Sequence, residues 1–183
     1  PGAGALLDDD TEQTHIVVGG RALARDDADR EALDVVNHVF GGGLSSRLFD
    51  EIRERRGLAY SVMSSVTAFA DAGAWSVYAG TMPEQADAVA ELIDAELRRL
   101  IDGGITADEL EIARGYLTGS FEIGLEDSGA RMARLGGQLL LRGQVRSLDE
   151  QLARWETVTL DDARRVIERV YADAPITVRL GPR

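Results

Sequence analysis

The sequence predicts an α+β fold: a mostly antiparallel sheet with helices packed on one face. Three observations carry this. The apolar pattern runs β-α-α-β-β-α-α-α-α-α-β, with two strands consecutive and five helices in a row. Strands rarely alternate singly with helices, which argues against a doubly wound parallel sheet. With 183 residues and 44% hydrophobic residues, the chain has enough apolar material for one sizeable core.

Residues 1–13 (PGAGALLDDDTEQ) read as a polar linker, and residues 14–183 as the domain. The first strand is Thr14–Gly20, carried by Ile16, Val17 and Val18. A helix follows, with Ala32, Val35, Val36, Val39 and Phe40 at helical spacing and Asp26 or Asp27 as its cap. Gly41-Gly42-Gly43 stops it, and Ser45 or Ser46 opens a short helix that ends near Gly57. Tyr60–Ala68 and Ala72–Thr81 read as strands joined by a turn at Asp71–Gly73. Pro83 suits the first turn of a helix to about Asp102, stopped by Gly103-Gly104. Thr106 and Glu109 form a capping box for a helix to about Glu126. Gly115, Gly119 and Gly124 inside that helix suggest close helix packing. Helices over Ser128–Leu141 and Ser147–Trp155 come next, then one opened by Thr159 and Asp162 and ending near Tyr171. Ile176–Leu180 is the closing strand.

Composition removes several chemistries. There is no cysteine, so disulfides, thiolate metal sites and cysteine nucleophiles are excluded. All 20 basic residues are Arg, which excludes a P-loop lysine and a Schiff-base lysine. A net charge of −12 repels nucleic acid and anionic membranes. It leaves basic peptides as attractive partners. No apolar run reaches the roughly 20 residues of a membrane span. A reducing cytoplasm fits the absence of cysteine.

The motifs are mostly structural. His15 and His38 are the only histidines and lie far apart, with no His-x-x-Glu-His pattern, so no metal site is expected in this chain. There is no Gly-x-Ser-x-Gly elbow. The Gly41–Gly43 run ends a helix instead of leaving a strand, so it fits neither nucleotide fingerprint. It does allow a partner to approach the backbone closely. Glu122, Glu126 and Asp127 read as a solvated acidic face.

The segment Gly41–Val62 (GGGLSSRLFDEIRERRGLAYSV) stands apart. A helix carries Arg47, Arg53, Arg55 and Arg56, Gly57 reverses the chain, and Tyr60 opens a strand. Arg53 and Tyr60 can then point at one spot, where their donors suit a peptide carbonyl or a developing oxyanion. On physics alone, an Arg–Glu surface network with a half-buried Tyr is an equal reading.

This segment, with the HIVVGG strand, Asp29 and its helix, and the closing TVRLGP strand, resembles the pitrilysin/insulinase metallopeptidases. The branch it is most similar to is that of the mitochondrial processing peptidase. The resemblance covers residues 13–182 and implies the LuxS/processing-peptidase type of fold. It further implies two homologous halves closing around a peptide, with zinc held by a His-x-x-Glu-His motif in the first. This chain resembles the second half, which contributes an Arg and a Tyr seven positions apart; Arg53 and Tyr60 match them. The implied partners are a zinc-bearing half or homologous subunit and a peptide substrate. Zinc is expected in the partner, and no cofactor in this chain. A homo-oligomer is a further arrangement the resemblance allows. Gly41, Gly42 and Gly43 are candidate substrate-binding residues, and a catalytically idle scaffolding subunit of the same family is the alternative reading.

Overall fold

The computed structural model describes residues 4–182. Its sheet contains, among the described residues, β1 (Gly4–Asp8), β2 (Thr14–Ala22), β3 (Ala59–Ala68), β4 (Gly73–Thr81) and β5 (Ile176–Gly181). Their spatial order is β1-β5-β2-β4-β3. Only the β1–β5 pairing is parallel. The helices are α1 (Arg30–Asn37), α2 (Ala86–Gly103), α3 (Ala107–Gly124), α4 (Ser128–Arg142), α5 (Leu148–Glu156) and α6 (Leu160–Val170). The α+β architecture expected from the sequence is the one observed.

One sheet face is covered. Ile16 and Val18 of β2, Trp75, Val77 and Ala79 of β4 and Val62 of β3 are buried, while their neighbours Val17 and Met63 are exposed. That is the period-2 alternation of a half-buried sheet. Val35, Val36, Val89, Ile93, Leu97, Val166 and Ile167 pack against the buried face from α1, α2 and α6. The amphipathic spacing of those three helices supplies the other half of the core. Tyr171 is fully buried between Phe40 and Trp75.

Three expectations are corrected. Gly4–Asp8, read as linker, forms an edge strand whose residues are all exposed; the pattern missed it because neither of its faces is buried. Residues 1–3 of that linker lie outside the described residues. The cap of α1 is Asp29 by position, whereas Asp27 accepts a hydrogen bond from the Asp29 amide at 2.9 Å in the preceding turn. Gly115, Gly119 and Gly124 have nothing within 4 Å of where a Cβ would sit, so they do not serve close helix packing. The capping boxes at Thr106 and Thr159 are present as expected.

Two short π-helical turns decide the local geometry. His38–Gly42 continues α1, and Phe49–Glu54 follows the Ser45-Ser46 turn. A Cβ on Gly41 would meet the Ser64 side chain of β3 at 2.8 Å, and one on Gly43 would meet the His38 ring at 2.4 Å. The glycine run therefore lets the end of the α1 segment lie directly against the edge strand.

Candidate substrate-contact site

The four arginines of the Gly41–Val62 segment divide three to one. Arg47 makes a bidentate pair with Glu109 (Nε 2.6 Å, Nη2 2.7 Å) and donates to the Gly104 carbonyl at 2.8 Å. These bonds fasten the segment to the α2–α3 turn. Burial raises the Glu109 carboxyl, but the Arg47 pairing and the Thr106 bonds together outweigh it and hold the group below its ordinary value. Arg55 pairs with Asp50 at 2.8 Å, and Arg56 with Glu51 at 2.5 Å. Arg53 is exposed and has no ion pair or hydrogen bond to any described residue. Its guanidinium lies over the Phe49 ring, 5.0 Å from the centroid. A face-on aromatic restricts the side chain without consuming its five donors.

The wide π-turn sets this division. Arg55 N–H donates to the Asp50 carbonyl at 2.9 Å, an i→i+5 bond, and Leu58 N–H reaches back to the Ile52 carbonyl at 2.9 Å. Leu48 and Ile52 are thereby buried, and Arg53 is carried outward. Gly57 then takes a positive φ of 62°, which reverses the chain into β3.

Arg53 lines an open cleft of about 270 Å³ together with Gly41, Gly42, Gly43, Leu44, Phe49, Ser61, Val62, Met63 and Tyr116. The structure thus brings the expected Arg53 and the three glycines to one place. Tyr60 is not on that wall. It stands one residue before Ser61, 65% exposed, at the start of the strand. The register explains its position. Ala59 pairs with Thr81 and Ser61 with Gly80, so Tyr60 is an extra residue in a bulge. A bulge frees a side chain from the strand's alternation and re-aims it. β3 is also an edge strand, so one row of its backbone groups lacks a strand partner.

Sequence reasoning missed the aromatic walls. Phe49 lies one helical turn before Arg53, and the i, i+4 spacing was the available signal. Tyr116 comes from α3 and stacks on the buried His38 with ring centroids 4.2 Å apart. Burial pushes the His38 imidazole below its ordinary value, which favours the neutral ring behind the cleft wall.

The histidines do not suit zinc. His15 Nδ1 is shared with the Tyr78 hydroxyl at 2.8 Å, and His38 is enclosed by Tyr116 and Gly43. Among the described residues no group of three or more His, Cys, Asp or Glu is placed to hold a metal. No step is therefore assigned to a metal in this chain.

Residues 5–117 match the family described as the Peptidase M16 inactive domain. The chain belongs to that family. It is 46% identical over 177 residues to an uncharacterised zinc protease of Streptomyces coelicolor, covering 97% of this chain and 39% of that protein. Among solved structures, the M16 inactive-domain protein of Pseudomonas fluorescens aligns over the whole chain and 44% of its own length, at 25% identity and a TM-score of 0.89. A protease from Helicobacter pylori aligns over 99% of this chain and 44% of its own, at 27% identity and a TM-score of 0.87. The chain therefore spans about two fifths of the length of these relatives. They are bacterial proteins. The resemblance read from Gly41–Val62 falls within the matched residues. No helix among the described residues is long and apolar enough to cross a membrane.

Proposed function

We propose that this chain is the substrate-clamping, non-zinc half of a metalloendopeptidase, working with a zinc-bearing half outside the 183 residues. The observation that carries the reading is Arg53: exposed, free of carboxylates, and braced on Phe49 in a cleft shared with Ser61, Val62 and Met63 of the β3 edge, the strand in which the bulge re-aims Tyr60. An extended peptide meets the two groups with a backbone carbonyl. The guanidinium donates N–H bonds and fixed positive charge to the carbonyl oxygen, and the Tyr60 hydroxyl adds a neutral donor. As the carbonyl is attacked, negative charge gathers on that oxygen, and donors already in place stabilise it without reorganising. The glycine backbone leaves room for the peptide, and β3 offers its free edge for strand addition.

The companion half supplies zinc and the activated water; this chain's residues position and polarise the substrate. The net charge of −12 favours basic segments in that peptide. A processing-peptidase-like branch and a cytoplasmic location complete the proposal. Mixing the chain with its metallated companion half, against a basic extended peptide, tests it. Cleavage in the mixture and in neither half alone is the expected result. No cleavage with a fully metallated companion would favour the scaffolding role.

A further inference from the structure

Helix α4 is oriented the wrong way round for a surface helix. Its polar side faces the domain. Arg134 donates to the Arg146 carbonyl at 2.6 Å, Gln138 Oε1 accepts from the Arg146 amide at 2.7 Å, and Arg142 pairs with Asp26 at 3.0 Å. Arg25 closes the set by donating to the Leu141 carbonyl at 3.1 Å. The adjoining side is apolar, Leu135 standing at the boundary beside Arg134. Met132, Leu135 and Leu139 follow i, i+3, i+7 spacing, and Leu140 flanks them. All four are exposed, Met132 at 71% and Leu140 at 85%. Gly136 lies between them with open space above it, so another element can approach the helix backbone closely. None of the 15 residues of α4 is buried.

Such a helix is not held by burying its own apolar face. Its ends are made well: Asp127 accepts from the Ala130 amide at 2.6 Å, and Gly143 takes a φ of 70° at the C-terminus. A helix of that length is marginal in water unless its apolar face is packed. Contiguous exposed apolar surface of this kind marks a contact with another body.

The geometry points to α4 as a docking helix, its Met132–Leu135–Leu139–Leu140 face covered by an apolar surface of the companion half. The occupant follows from two observations. The relatives that contain this fold carry it as 39–44% of a longer chain, so more than half of each protein lies outside the matched region. A second copy of this chain would bring two bodies of −12 charge together, which opposes self-association. The inference rests on the companion half proposed above, but it concerns assembly and not the cleft.

Hydrogen exchange of residues 128–142 tests it, measured for the chain alone and with its companion half. Exchange at least tenfold slower in the assembled protein is expected. Met132→Glu combined with Leu139→Glu should abolish that slowing and weaken association at least tenfold. Both positions are solvent-facing, so the domain itself stays folded, which circular dichroism checks. A milder Leu140→Ser variant should weaken association less. Arg53→Ala should leave slowing and association unchanged, so full cleavage by that variant with α4 still protected would count against the clamping role alone. Equal exchange with and without the companion would overturn the docking assignment. So would protection in the chain alone that disappears on dilution, which would make the occupant a second copy.

Discussion

Two arginine-rich regions of this chain use the same side chain for opposite ends. Between α1, α5 and α6 every guanidinium has carboxylates against it. Arg154 holds the buried Glu31 bidentately at 2.6 and 2.7 Å, and Arg146 adds a bond at 3.0 Å. Arg165 bridges Asp29 at 2.7 Å and Asp162 at 2.6 Å, while Arg169 reaches Asp27 and Asp29. At the cleft, Arg53 has an aromatic ring beneath it and no carboxylate. In a chain without lysine, guanidinium cross-links one region and stands free of carboxylates in the other. What separates the two uses is whether the fold supplies an acid. An arginine left uncompensated next to an accessible strand edge is available to a substrate oxygen.

The ion-paired region between α1, α5 and α6 should fail most when its buried acid is lost. Glu31→Ala leaves Arg146 and Arg154 without their shared carboxylate, and about 3 kcal/mol of stability should go with it. Urea unfolding reads this directly, and an unchanged midpoint would break the comparison. Gly43→Ala acts on the cleft region instead. The added methyl meets the His38 ring, a cost of about 2 kcal/mol, and the displaced wall should weaken peptide binding as well. If the variant binds peptide normally, the glycine run has no part in shaping the cleft.

Acid sharpens the contrast further. Arg169 bonds hold Asp27 below its ordinary value, Arg165 bonds do the same for Asp29, and the Thr159 and Arg165 bonds bring Asp162 down to about 2. Glu31 is lowered too: burial pushes it up, and Arg154, Arg146 and a backbone hydrogen bond together more than offset that. Each folded-state value lies below its unfolded value, so the stabilisation is complete above the ordinary carboxylate range. For Asp162 it is lost as pH falls from 3.8 toward about 2, and for Asp27, Asp29 and Glu31 as pH falls below their ordinary values. His38, kept neutral by burial, begins the loss earlier, from 6.5 downward. Denaturant unfolding at stepped pH should show this decline, with Asp29→Asn flattening its lower part. The smallest effect belongs to Arg55→Ala. Its partner is a surface acid, and the change should stay within about 0.5 kcal/mol.

Much of the fold was legible in the sequence because burial writes a period into it. β2, β3, β4 and β5, the amphipathic α1, α2 and α6, and both Thr-led capping boxes follow from residue spacing. β1 did not, since a strand exposed on both faces has no alternation to read. The glycines of α3 misled because a small residue marks either close packing or open space, and only coordinates separate these. At the site, Arg53, Tyr60 and the glycine run lie within 20 residues and could be read together. The bulge that frees Tyr60 depends on the Thr81–Gly80 register, and Tyr116 arrives from another helix. Neither is encoded locally. The sequence also left two readings of the Arg–Glu segment level. The structure divides them residue by residue, giving Arg47, Arg55 and Arg56 to the network and leaving Arg53 outside it.

The measurement that bears most directly on the central claim is kcat/KM for the assembled enzyme carrying Arg53→Ala or Tyr60→Phe, with zinc content and unfolding midpoint recorded on the same samples. A fall of about 100-fold for Arg53→Ala and about tenfold for Tyr60→Phe is expected, with zinc and midpoint unchanged, as removal of donors to a developing oxyanion requires. Full activity in both variants would contradict the account: the free guanidinium at the cleft would then have no part in catalysis.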